Sequence, residues 1–166
     1  MGFLKEKKGF TLVELLAVIV ILAVVTVIGA TTVLPYIQNA QKDAFKDEAN
    51  YVIDAATNAI SLIQLNESGT TGNYTELTGT TKGYCFTLKN LVDMGLWTKD
   101  SGSLGTDEGQ YRGTVVAERG DNTKGYTYKV EMTNGKYYVK STGGAISAVN
   151  DDYKTASPTP TIKTAC

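Results

Sequence analysis

Three features of the sequence predict an α+β fold, in which one long N-terminal helix lies against a three- or four-stranded antiparallel sheet. Leu15 to Leu34 is an uncharged apolar run of twenty residues, and an amphipathic stretch continues it without a turn signal. The last third alternates apolar and polar side chains with the period of two that marks a half-buried strand. Asn134-Gly135 then separates two of the alternating runs, the strongest short-range hairpin signal in the chain.

At about 1.5 Å per residue, the twenty residues from Leu15 to Leu34 match a hydrocarbon core of roughly 30 Å, so this half of the helix is long enough to span a bilayer. Within it, Gly29 and Pro35 bracket a β-branched segment. Proline lacks an amide hydrogen and its ring crowds the carbonyl four residues back, so a kink or local unwinding is expected between Gly29 and Pro35. Beyond Pro35, Ile37, Ala40, Ala44, Phe45, Ala49, Val52, Ile53, Ala56, Ile60 and Ile63 recur at steps of three and four. Such a stripe needs cover from a sheet. The charges from Lys42 to Glu48 read as a solvated face, or as ion pairs between subunits.

Residues 66–110 read as a connecting loop rich in Gly, Thr and Asn, with a short helix after Cys85 capped by Thr87 and ended by Gly95. Leu96-Trp97 is expected to anchor this loop on the domain. Strands are expected at Tyr111 to Glu118, Tyr126 to Thr133 and Lys136 to Thr142. The tail, 150–166, is expected to lie irregularly over the sheet edge.

Composition excludes several function classes. The chain has 166 residues and no histidine, which removes Ser-His and Cys-His nucleophile pairs and every His-ligated metal site. No Gly-rich phosphate loop follows a strand, no enzyme is expected, and no cofactor or nucleic acid is called for. Asp121-Asn122 and Asp151-Asp152 lack the spacing of a calcium loop and read as solvated turns. Asn66-Glu67-Ser68 and Asn73-Tyr74-Thr75 fit the N-x-S/T pattern, which chance explains in a Thr-rich chain. Cys85 and Cys166 both fall in the part expected to lie outside, where an oxidising compartment would allow a bridge, and three readings stay open: one mutual bridge, two free thiols, or a metal or intermolecular role.

One residue breaks the pattern of the first helix. Glu14 is a carboxylate at the head of the apolar run, where a charge is costly unless it is partnered or functional. Lys7-Lys8-Gly9 followed by Phe10-Thr11-Leu12-Val13-Glu14-Leu15-Leu16 resembles the class III signal of type IV pilins and their relatives. The resemblance covers the leader and first helix closely and the remainder in architecture. It implies that a membrane prepilin peptidase cuts between Gly9 and Phe10 and methylates the new amine of Phe10, and that Glu14 is the assembly glutamate.

The residues themselves support that chemistry. Cutting after Gly9 frees an α-ammonium four residues before Glu14, one helical turn away. That cation can answer the carboxylate within a chain or between staggered copies, and a misregistered pair would leave a desolvated charge. Lys5, Lys7 and Lys8 favour a cytoplasmic N-terminus with everything after Leu34 translocated. Removing the leader's net +2 takes the formal charge from −1 to −3.

The expected organisation is a leader at 1–9, a membrane and filament-core helix at 10–35, and an extracellular pilin domain at 36–166. The function implied by the resemblance is a structural pilus subunit, held in the cytoplasmic membrane by lipid as a precursor and displayed at the cell surface once assembled. Its expected partners are copies of itself, minor pilins, the peptidase, an assembly platform and its ATPase. Alternatives are a pseudopilin of a type II secretion or competence system, or an anchored adhesin that never polymerises.

Overall fold

The computed structural model describes residues 9–65, 74–78, 82–105, 109–119, 125–143, 146, 148–150 and 162–166. The leader up to residue 8, both N-x-S/T asparagines and the acidic pairs at 121–122 and 151–152 lie outside the described residues. One helix, α1 (Leu12–Leu65), is followed by β1 (Thr75–Leu77), β2 (Lys82–Thr87), α2 (Leu88–Asp93), β3 (Arg112–Arg119), β4 (Thr127–Thr133) and β5 (Tyr138–Lys140). The chain divides into two compact units at Ala40 and Gln41, each described here by itself.

In the first unit α1 is unbroken through Gly29 and Pro35. Threonine hydroxyls add bonds in the turns that precede Pro35. Thr31 Oγ1 donates to the carbonyls of Val27 at 3.4 Å and Ile28 at 3.0 Å, and Thr32 Oγ1 donates to those of Ile28 at 3.2 Å and Gly29 at 3.1 Å. Hydroxyl back-bonding of this kind gives those carbonyls a second donor, whereas the carbonyl that loses its ladder donor to Pro35 is that of Thr31.

In the second unit the rest of α1 is covered on one face. Phe45, Ala49, Val52, Ala56, Ile60 and Ile63 are buried at the expected spacing, with Ala55 and Ala59 beside them. Ala44, assigned to the apolar stripe, is exposed instead. Four alanines in the buried face keep the helix surface low, so that the sheet can approach closely. Asn50, expected on the solvent side, is half-buried and accepts the Ile146 amide at 3.2 Å.

The sheet has five strands in the order β1-β2-β3-β4-β5, all neighbours antiparallel, rather than three or four. The two additional strands fall where a loop was expected. Phe86, Val115, Ala117, Val130, Met132 and Val139 form the face that joins the core with α1. Gly83 sits where any Cβ would run into the Ala117 carbonyl. Gly113 has φ +153, and a Cβ there would overlap the Glu131 carbonyl.

Thr87 caps α2 as expected: its hydroxyl accepts the Asn90 amide at 3.1 Å and the Asn90 side chain accepts the Thr87 amide at 2.8 Å. Gly95 ends the turn with φ +70. Trp97 is buried edge-on against Tyr111, 5.6 Å between centroids. The hairpin after β4 departs from a two-residue turn. Four residues, 134–137, separate the paired Thr133 and Tyr138. The Asn134 side chain accepts the amides of Lys136 and Tyr137, at 3.1 and 2.8 Å, and so shapes the loop from inside.

Glu48 also departs from the expected solvated face. It pairs with Lys99 at 2.6 Å, with both side chains about a quarter exposed. Burial pulls the Lys99 ammonium down, but the hydrogen bond to Glu48 and its neighbours outweigh this and hold the group above its ordinary value. Burial and then the Glu48 charge push the Tyr111 phenol up.

Cys85 and Cys166 are bonded, with Cα atoms 5.8 Å apart and a sequence separation of 81. The end of the chain crosses the outer face of the sheet rather than its edge. The Lys163 amide donates to Glu131 on β4 at 3.3 Å, and Cys166 is tied to β2. Asn150 is what pairs at the edge, bridging Tyr138 of β5. Burial pushes the Glu131 carboxyl up, yet the Lys140 ammonium at 3.0 Å and the Lys163 amide bring it below its ordinary value of 4.5.

Three outcomes follow from this packing. Gly113→Ala should lose about 2 kcal/mol or more in urea unfolding, from a strained φ and the collision with Glu131. Cys85→Ser should lose about 4–5 kcal/mol, the loop-entropy value for so long a covalent circuit, read as a lower melting midpoint that reductant lowers no further. Glu131 loses its proton at lower pH when folded than when unfolded, so its contribution is complete above about pH 4.5 and vanishes as pH falls through the folded value. Acid should therefore lower the protection factor of the Lys163 amide, and Glu131→Gln should remove that pH dependence.

Candidate functional site

The residues singled out around the head of α1 belong to the first unit. Gly9 and Phe10 precede the helix and are exposed, with Phe10 at 89%. Nothing lies within 4 Å of a Cβ added to Gly9, so the fold itself does not demand a glycine there. Phe10, likewise, packs on nothing that would require an aromatic ring.

The helix starts with a reciprocal cap that sequence reasoning missed. The Thr11 amide donates to Glu14 Oε2 at 2.9 Å and the Thr11 hydroxyl to the same oxygen at 2.8 Å, while the Glu14 amide donates back to the Thr11 hydroxyl at 3.3 Å. Leu15 N–H closes the first backbone turn onto the Thr11 carbonyl at 3.2 Å. This is a capping box, Thr at the N-cap and Glu at the third helical position, and its signal is the T-x-x-E spacing of Thr11 to Glu14. The carboxylate therefore has two partners inside its own chain. It also places negative charge at the positive end of the helix dipole, a favourable arrangement.

Below the cap, the apolar stretch has no cover. An 18-residue window of α1 has mean hydropathy 2.9 and none of it is buried. By length and composition α1 can cross a membrane. Leu15 to Leu34 contributes no charge, and Glu14 is the one acidic group among the described residues of the first unit.

The arrangement can position an amine. A cut between Gly9 and Phe10 leaves the new α-ammonium next to a helix N-terminus, where its charge opposes the dipole. The Glu14 carboxylate within the first turn offsets that cost. Thr11 is the second residue after such a cut, so both of its hydrogen bonds to Glu14 are available before and after processing. Among the described residues no group of three or more His, Cys, Asp or Glu could hold a metal ion.

The cysteines belong to the second unit, and the proline lies further along α1. Cys85 and Cys166 secure the end of the chain to the sheet in the second unit, and Gly29 and Pro35 are interior to α1.

No curated protein and no solved structure matches the chain. Residues 4–30 match the family model described as the prokaryotic N-terminal methylation motif, a stretch that contains Gly9, Phe10, Thr11 and Glu14. A motif of this kind suggests a structural protein anchored in the membrane as a precursor. Above a long helix packed on an antiparallel sheet, an arrangement consistent with the pilin fold, the chain carries a type IV pilin-like prepilin signal.

Proposed function

We propose that this chain is the precursor of a structural type IV pilus subunit, cut after Gly9, N-methylated at Phe10 and assembled through its apolar helix into a helical surface filament. The observation that carries the reading is Glu14: a carboxylate locked at the head of an uncovered apolar helix, four residues from the amine that cleavage would create. The leader occupies 1–9, the anchor and filament-core helix 10–35, and the extracellular domain 36–166.

In the bilayer the residues from Leu15 to Leu34 are solvated by lipid. In a filament the helices of other copies supply equivalent apolar surroundings, so the transfer changes apolar solvation little and register must come from elsewhere. Glu14 provides it. A methylated Phe10 ammonium of one copy reaches Glu14 of the next at the correct stagger, and any other stagger leaves an uncompensated charge. Repeated heterologous contacts that do not close give an open fibre. The segment from Gly29 to Pro35 can unwind when helices pack or stretch. The peptidase, an assembly platform with its ATPase, and minor subunits act on the chain from outside. Adhesion, twitching and biofilm formation are the uses such a fibre serves.

In cells that carry the assembly machinery, Glu14→Val should abolish fibres by electron microscopy while the chain remains in the membrane fraction. Unchanged fibres would overturn the assembly role of Glu14. Intact mass of the mature chain should correspond to a start at Phe10 plus one methyl group; a retained Met1, or a cut after the apolar run, would overturn the processing.

A further inference from the structure

The end of the chain is held to the sheet by little besides sulfur. Residues 162–166 cross the outer face from β4 to β2. The Lys163 amide donates to Glu131 at 3.3 Å, the one hydrogen bond that this stretch makes among the described residues, and Cys166 is bonded to Cys85. Ile162 is buried, whereas Lys163 to Cys166 are all exposed. Lys163, Ala165 and Cys166 line a pocket of 590 Å³ and Thr164 lines another of 420 Å³, so the stretch is a wall common to both.

The sheet beneath does not depend on this stretch for its ladder. β2 pairs with β3 from Lys82 opposite Arg119 to Thr87 opposite Thr114, and β3 pairs with β4 from Arg112 opposite Thr133 to Glu118 opposite Thr127. Opening the bridge raises the entropy of the unfolded chain and breaks none of these bonds. The two cysteines also differ in access: Cys85 on β2 is 4% exposed, while Cys166 is exposed at the end of the chain. Exchange requires a thiolate to reach one sulfur of the bridge, so access decides which is attacked.

We propose that Cys166 is a thiol-exchange site and that residues 162–166 are a strap which exchange releases. The co-reactant is a dithiol, small or carried by a protein. Its first thiolate bonds to Cys166 Sγ, the bond between the two Sγ atoms breaks, and the electron pair goes to Cys85 Sγ, which takes up a proton. The second thiol then loses its proton and attacks the first sulfur, displacing Cys166 as a thiolate that is protonated in turn. The dithiol leaves as a disulfide, and both cysteines remain as thiols. One hydrogen bond to Glu131 is then left to hold 163–166, so the strap lifts and the common wall of the two pockets goes with it. The sheet stays paired. None of these steps requires polymerisation.

Nuclear magnetic resonance of the full chain in detergent, before and after dithiothreitol, tests the release. The backbone order parameters of 164–166 should fall from about 0.85 to below about 0.6, and those of β2, β3 and β4 should stay near about 0.85. A strap that remains ordered after reduction would overturn the inference, as would collapse of the sheet resonances together with those of the strap. The site of attack is tested with a monothiol, 2-mercaptoethanol, added briefly and quenched with acid before alkylation and peptide mapping. Cys166 should carry the thiol and Cys85 the alkyl group, by about ten to one over the reverse arrangement. An even split, a preference for Cys85, or a chain isolated with two free thiols would overturn it.

Discussion

Apolar helix surface must be covered, and α1 meets that demand in two different ways. From Phe45 to Ile63 the chain covers itself: the helix face, kept low by alanines, receives a sheet whose inner rows are Phe86, Val115, Ala117, Val130, Met132 and Val139. From Leu15 to Leu34 no residue of the helix is buried among the described residues. The hydrophobic effect charges roughly 25 cal/mol for each Å² of apolar surface left in water, so a stretch this long is sustainable only in lipid or against other helices. The division of the chain into an uncovered part and a self-sufficient part follows from that constraint alone.

The polar groups at the head of α1 acquire meaning from the same constraint. In water a Thr-Glu capping box is an ordinary helix start, worth about a kcal/mol. It also aims the carboxylate along a fixed direction, since both hydrogen-bond donors come from the adjacent Thr11. Structural and functional readings of Glu14 are thus compatible. The cap keeps the carboxylate in place, and a neighbouring amine can share it without displacing the helix start.

Much of this was legible in the sequence, and the failures have physical causes. The length of α1, the cap on α2 at Thr87, the burial of Trp97 and the three C-terminal strands all rest on local patterns that tertiary contacts reinforced. The strand Lys82–Thr87 was missed because Gly83 breaks its alternation and Thr87 is at once its last residue and the cap of the next helix; the glycine is there to admit the Ala117 carbonyl, a non-local reason. The strand Thr75–Leu77 is three residues long, too short to show any period. Glu48 looked solvated because its partner, Lys99, is 51 positions away in the sequence. The capping box is legible in the T-x-x-E spacing of Thr11 to Glu14, a local signal masked by the apolar run that follows it.

The covalent link between Cys85 and Cys166 has a mechanical consequence. It encloses β3, β4 and β5 in a loop that cannot be drawn out straight, because its two ends are fastened together. A pull transmitted along α1 and into β2 would find only the residues before Cys85 free to pay out. The contour length the chain could release under load is set by one sulfur bond and not by the strength of the sheet.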